Sequence, residues 1–276
     1  MKETLGRLEL IMDIIFSDVD GTLVGDDHHP ILQSASVIRS ACEHVTFCLV
    51  SARSPEGLYP IQEQLGFSGP LACYSGAYVL DHEGTELFST TIPTADAIAI
   101  KEHLSTKFPT ITVGTYGFHM WIADDANDPR IRNEEKLVQT TAITCKDLLS
   151  AFGNRGVHKL LLMGEPDQIR HAQKTLAARY PNLNVVRSST ILCEVMARDA
   201  SKSNAIRIVC ERYGTSPKHA VAFGDGPNDI DMLKAAGTSY AMANAEKSVM
   251  DAATHILPWT NQQSGVARQL KKLMAQ

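Results

Sequence analysis

Asp18 and Asp20 stand two residues apart, at the end of the apolar run Ile14-Ile15-Phe16 and directly before Gly21. In an extended chain, residues i and i+2 project from one face, which sets the two carboxylates side by side with Val19 turned away. Like charges that close need a cation, a raised pKa on one partner, or open solvent. The first two imply a reaction centre. A second acidic loop, Gly224-Asp225-Gly226-Pro227-Asn228-Asp229, follows the apolar run Ala220-Val221-Ala222-Phe223. Ligands of a parallel sheet bind beyond the carboxyl ends of its strands, so loops distant in sequence can converge there. Asp18, Asp20 and Asp225 around one hard cation would make an all-oxygen site, with room for waters and a phosphate oxygen, that suits Mg²⁺. A Gly-Asp-Gly alone is ordinarily a turn; its pairing with the first loop is what carries weight.

Two further residues stand at element edges. Ser51 closes the run Val45–Val50, and Ser51-Ala52-Arg53 leads into a helix start where backbone N–H groups can hold an anion. Taken singly, such a serine is a turn or capping residue. Lys202 precedes the apolar segment Ala205–Tyr213. A lysine there opposes the helix dipole, a small cost that is tolerable where the ammonium serves as a point charge on a phosphate.

The elements that must position these groups alternate. Ile14–Ser17, Val45–Val50 and Leu71–Tyr74 read as strands, with helices over Ile31–Glu43 and Pro55–Leu65 between them. Ser54 is the N-cap of the second, with Pro55 in its first turn. Ala220–Phe223 is another strand, and Asp229–Ala236 a helix closed by Gly237. Strands alternating with helices favour a parallel sheet covered on both faces. The middle of the chain reads as its own αβ unit. It has helices over Thr94–Phe108 and Asp167–Tyr180, strands over Ile111–Tyr116, Phe118–Ile122 and His158–Met163, and a polar turn at Asp124–Pro129. The expected parse is a discontinuous core, residues 1–90 and 190–276, with residues 91–189 inserted as a second domain.

A chain of 276 residues has ample length for two domains, and 44% hydrophobic with 21% charged residues is an ordinary globular balance. With a net charge of −5 there is no basic surplus for nucleic acid. No apolar stretch suggests a membrane span, and Asp13 interrupts the one run that resembles a signal peptide. Six scattered cysteines form no Cys-x-x-Cys pair and signal no zinc site. Free thiols in apolar runs fit a reducing, cytoplasmic setting. Met12 is an alternative start, residues before it being a dispensable extension; oligomeric state has no signature here.

Asp18-Val19-Asp20-Gly21-Thr22, Ser51, Lys202 and Gly224–Asp229, in that order, resemble the four motifs of the haloacid dehalogenase superfamily of phosphatases. The insertion between Ser51 and Lys202 resembles the type IIB α/β cap of its Cof-like subfamily, as do Val157–Leu162 and Gly265-Val266-Ala267. The resemblance covers essentially the whole chain and implies an α/β, Rossmann-like doubly wound core with that cap. It also implies a Mg²⁺-dependent phosphomonoester hydrolase acting on small phosphorylated metabolites, sugar phosphates foremost. Asp18 would be the nucleophile forming an aspartyl-phosphate, and Asp20 the general acid and then base. Asp18, the Asp20 backbone carbonyl and Asp225 would hold the metal, supported by Asp229. Val19, Ser51, Ala52, Lys202 and Asn228 would hold the phosphoryl oxygens. A phosphotransferase or mutase of the phosphomannomutase type shares this core and cap, and a non-catalytic phospho-ligand sensor would share the fold.

Departures from the family pattern bear on local geometry. The family has Thr-Gly-Arg where this chain has Ser51-Ala52-Arg53, and alanine takes a positive φ less cheaply than glycine. Many members have Asn-Gly-Ala at Ser75-Gly76-Ala77. Asp26, Asp27, His28 and His29 read as a solvated loop. In the cap, Trp121 stacking on a ring, with His119 and Arg155 beside it, competes with the plainer reading of core aromatic and surface arginine.

Overall fold

The computed structural model describes residues 12–275. The segment preceding Met12, on which the alternative start rests, lies outside them. Five strands come first, β1 (Ile14–Ser17), β2 (Thr46–Val50), β3 (Leu71–Cys73), β4 (Tyr78–Leu80) and β5 (Glu86–Ser89). Six follow: β6 (Thr112–Gly117), β7 (Met120–Ala123), β8 (Ile143–Thr144), β9 (Lys159–Met163), β10 (Leu183–Val186) and β11 (Leu192–Ala197). The last three are β12 (Ala220–Gly224), β13 (Thr238–Ala241) and β14 (His255–Ile256). The outer groups form one sheet in the order β14-β13-β12-β1-β2-β3-β4-β5, and the middle six a second, β10-β11-β9-β6-β7-β8.

The first sheet is parallel from β14 through β3, and β4 and β5 add an antiparallel edge. Its central strands are buried on both faces, which is why they read as unbroken apolar runs. Ile14, Phe16, Cys48 and Val50 pack against helices Lys202–Arg212 and Ile230–Ala235. Ile15, Phe47 and Leu49 face the opposite layer, helices Ala35–Cys42, Pro55–Leu65 and Gly265–Leu273. Each such side chain, removed from water, contributes about 1.5–3 kcal/mol before conformational entropy is subtracted. Ser54 caps its helix as expected, its Oγ accepting from the Gly57 amide at 3.3 Å.

Two local expectations change. The segment after Ile31 opens with a 3₁₀ turn, Leu32–Ser34, before the α-helix. Gly237 is no left-handed cap: it is absent from the positive-φ residues, and a Cβ there would fall 1.9 Å from the Lys218 carbonyl oxygen. Glycine is required at that point by close backbone approach.

In the second sheet all pairs are antiparallel except β7 with β8. One face, carrying Val113, Leu160, Leu162 and Val195, packs on helices Thr94–Lys107 and Pro166–Arg179. Tyr116, Trp121, Leu161, Met163 and Met196 on the other face join the apolar cluster of the first unit. β11 hydrogen-bonds to both β9 and β10, so the expected return at residue 190 falls inside a hairpin of this sheet. We propose that the chain returns after Ala197. Among the described residues no helix is long and apolar enough to cross a membrane.

Candidate active site

Asp18 is the first residue past β1, where its amide donates to the Phe223 carbonyl at the end of β12, 2.9 Å away. That bond brings the two acidic loops together beyond neighbouring central strands. The Asp18 side chain is buried, and Lys202 Nζ stands 2.5 Å from its Oδ1 and 2.5 Å from Asp229 Oδ1. Lys202 opens a helix whose N-cap, Ser201, accepts from the Asn204 amide at 3.1 Å. Only 1% of the lysine is exposed, so its charge stands on those carboxylates. Burial alone would depress the Lys202 pKa; Asp18 and Asp229 reverse this and raise it. Burial, reinforced by Asp229, pushes Asp18 well above the carboxylate range even with Lys202 present.

Asp225 completes an acidic triad: oxygens of Asp18, Asp225 and Asp229 lie within 4.8 Å of one another. Thr22 Oγ1 donates to Asp225 Oδ1 at 2.6 Å, and Asn244 Nδ2 lies 3.4 Å from Oδ2. Asp229 orients the loop, its Oδ2 accepting from the Asp225 and Gly226 amides at 3.0 and 2.9 Å. Burial pushes Asp225 up to about 6. Three carboxylates against one ammonium leave a negative excess on hard oxygen donors, a set that fits a divalent cation such as Mg²⁺. Gly21 makes room for the triad: at φ +82°, a Cβ there would fall 2.3 Å from Asp225 Oδ2.

The Asp20 side chain does not join the triad. β1 ends at Ser17 and the chain turns back, with the Leu23 and Val24 amides donating to the Val19 carbonyl, so strand geometry does not extend to residue 20. Instead Arg53 forks onto Asp20, Nε to Oδ2 at 2.9 Å and Nη2 to Oδ1 at 2.6 Å, and His28 Nδ1 lies 2.8 Å from Oδ1. Burial works against the carboxylate, yet the His28 and Arg53 hydrogen bonds prevail and hold it well below the usual range. Sequence reasoning missed both partners. His28 sits at φ 62° in what reads as a polar loop, while Arg53 carries no signal apart from its motif neighbours. Thr22 enters the sequence reading only as part of its motif, and Asn244 carries no signal. Asp26 and Asp27 are exposed, as expected of a solvated loop.

Ser51 is buried, and its Oγ accepts from the Arg53 amide at 3.2 Å, tying the loop that presents the fork. Ala52 needs no positive φ, so the glycine of the family pattern is dispensable here. Ser75 does adopt a left-handed conformation, φ 55°, one that asparagine tolerates better than most residues. Asn228, Lys202, Ala52 and Ser75 border a cavity of about 710 Å³. A second, about 350 Å³, is bordered by Asp20, His28, Arg53 and Lys159. Ala52, Ser188 and Glu194 line both, making them lobes of one cleft between the sheets.

The cap residues singled out from sequence lie elsewhere. Trp121 is buried and stacked on Tyr116 at 4.9 Å, Arg155 covers the Phe118 ring at 3.5 Å, and His119 pairs with Glu56 at 2.7 Å. The cap face of the cleft is built by Lys159, Asn184, Arg187 and Glu194 instead. The six cysteines are free, four of them buried.

The chain is similar to known proteins over most of its length. The chain is 30% identical over 254 residues to a Haemophilus influenzae protein named "Putative phosphatase", covering 92% of this chain and 95% of that one. It is 29% identical over 241 residues to the HMP-PP phosphatase of Serratia proteamaculans, covering 83% and 82%. A haloacid dehalogenase-like hydrolase from Bacteroides thetaiotaomicron superposes with a TM-score of 0.87 at 25% identity, covering 95% of this chain and 99% of that one. A Thermotoga maritima structure shares the fold at a TM-score of 0.84 and 23% identity, with 95% and 97% covered. Residues 15–270 match the family model of the haloacid dehalogenase-like hydrolases, and the chain belongs to that family.

Proposed function

We propose that the protein is a Mg²⁺-dependent phosphomonoester hydrolase for small phosphorylated metabolites, sugar phosphates foremost, working through an aspartyl-phosphate on Asp18. The observation that carries this is the position of Asp18 at the mouth of the central strands, where Lys202 bridges it to Asp229 and its oxygens cluster with those of Asp225 and Asp229. Asp18 attacks phosphorus, an Asp18 oxygen–phosphorus bond forms, and the bond to the leaving oxygen breaks with Asp20 supplying its proton. Water then attacks the phosphoryl group and loses a proton to Asp20. The phosphorus–Asp18 bond breaks, releasing inorganic phosphate. Lys202, Asn228, Ser51 and the Val19 and Ala52 backbone hold the phosphoryl oxygens, the positioning and charge neutralisation on which phosphoryl transfer depends. Asp18, Asp225 and the Asp20 carbonyl would hold the metal, with Asp229 supporting; when bound it supplies further neutralisation of phosphoryl charge.

The Arg53 and His28 contacts keep Asp20 as a carboxylate, the form the second step needs. In the first step it must carry a proton, so Asp20 has to leave at least one of these donors when substrate enters. The test is Asp18→Asn, assayed for inorganic phosphate release from an aryl phosphate with Mg²⁺ and without any activating bisphosphate. Turnover is expected to vanish while circular dichroism and melting show the fold retained; a variant as active as the parent defeats the reading. Sustained release to water separates a hydrolase from a mutase.

A further inference from the structure

Lys159 and Lys202 are the two lysines buried among the described residues, 6% and 1% exposed. Lys202 is hydrogen-bonded to two carboxylates, Lys159 to none. Its Nζ donates to the Ala52 carbonyl at 2.7 Å, lies 3.7 Å from Glu194 Oε1, and stands 4.8 Å above the Tyr116 ring. An ammonium has three N–H donors, and 3.7 Å is beyond hydrogen-bond reach. Among the described residues, two donors of this buried cation are thus without a hydrogen-bond acceptor, and the residue lines the smaller lobe, which Asp20, Arg53 and Glu194 also border. Strand alternation makes this placement systematic: Leu160 and Leu162 pack on the cap helices, so Lys159 shares the opposite face with Leu161, which pairs directly with Glu194.

We propose that Lys159 and Glu194 form the leaving-group subsite, a cap-borne donor and acceptor set beside Asp20 that binds a hydroxyl-bearing leaving group of a phosphate monoester. The inference rests on the hydrolase reading in one respect: a proton from Asp20 reaches the leaving oxygen only if the leaving group occupies the lobe that Asp20 borders. The mixed pair selects the ligand chemistry. A second anionic group would meet the Glu194 carboxylate, whereas a hydroxyl both accepts from Lys159 and donates to Glu194.

The test measures calorimetric binding of glucose 6-phosphate, glycerol 3-phosphate and phenyl phosphate in an Asp18→Asn background, so that binding is read without turnover. The unaltered cap is expected to favour the hydroxylated esters over phenyl phosphate. Lys159→Met, which keeps the apolar stem over Tyr116, should reduce that preference by ~10- to 100-fold, and Glu194→Gln by about tenfold. Preference unchanged within about twofold in both variants, equal weakening of all three esters, or no preference in the unaltered cap would overturn the subsite. If Lys159→Met fails to fold by thermal melting, Glu194→Gln decides alone. Phosphate release from the same esters by the Asp18 enzyme is scored separately: its absence defeats the hydrolase reading, while the binding preference still judges the subsite.

Discussion

Replacing Lys202 with methionine probes the electrostatics of the centre most directly. The side chain is replaced at nearly constant volume while the cation between Asp18 and Asp229, 2.5 Å from an oxygen of each, disappears. Asp18 is then buried against Asp229 and Asp225, with their oxygens inside a 4.8 Å cluster and no ammonium to offset them. At an effective dielectric of ~20, each ion pair near 4 Å is worth about 4 kcal/mol, and desolvation of the lysine cancels part of that. Breaking a buried pair by deleting one partner costs about 3–5 kcal/mol, which we expect for Lys202→Met in metal-free protein at pH 7.5. Urea unfolding followed by circular dichroism, with a chelator present, reads this as a lower midpoint at unchanged slope. The deficit should shrink at pH 5, where carboxyls with raised pKa values take up protons, and on adding Mg²⁺, which restores a cation to the cluster. It should also shrink in the double variant with Asp229→Asn, whose remaining oxygen can still accept from the Asp225 and Gly226 amides. Phosphatase activity should stay lost under all these conditions. A single variant within about 1 kcal/mol of the parent at pH 7.5 would refute the electrostatic account of the site.

Three other outcomes are expected. Since burial holds Asp225 at about 6, Mg²⁺ must displace a proton below that pH, and its apparent affinity should fall by up to about tenfold per unit from pH 6 to pH 5, read from activation curves. Gly21→Ala should weaken Mg²⁺ activation and cost about 1–3 kcal/mol, because a Cβ at φ +82° strains the turn and displaces Asp225; a variant with normal activation would contradict the crowding. Burial lowers His158 to about 3 against 6.5 in the open chain, so its contribution is complete above pH 6.5 and is lost as pH falls toward 3. That amounts to ~2 kcal/mol at pH 5, and His158→Gln should flatten the dependence of unfolding free energy on pH between 7 and 5 by that amount.

Local regularities were legible in the amino-acid order. Apolar runs ending in Asp18, Ser51 and Asp225 marked central strands and the carboxyl edge where their loops meet, because a strand buried on both faces has to be apolar throughout. The capped start at Ser54-Pro55 was equally plain, being decided by neighbouring residues. Gly237 was misread as a helix cap, since the close approach of the Lys218 carbonyl arises between segments that sequence does not place side by side.

The same division runs through the site. By itself the sequence determined where the charged groups stand along their elements: the strand ends supply Asp18 and Asp225, and a helix start supplies Lys202. Only the tertiary structure decided how the charges pair. It turned Asp20 out of the acidic triad and onto Arg53 and His28, put Asp229 under the Asp225 loop, and brought Lys159 across 107 residues to the Ala52 carbonyl. Strand and helix periodicity acts over a few residues and can be read along the chain. A hydrogen bond between distant loops depends on where packing leaves each backbone, and nothing in either loop's composition encodes that distance.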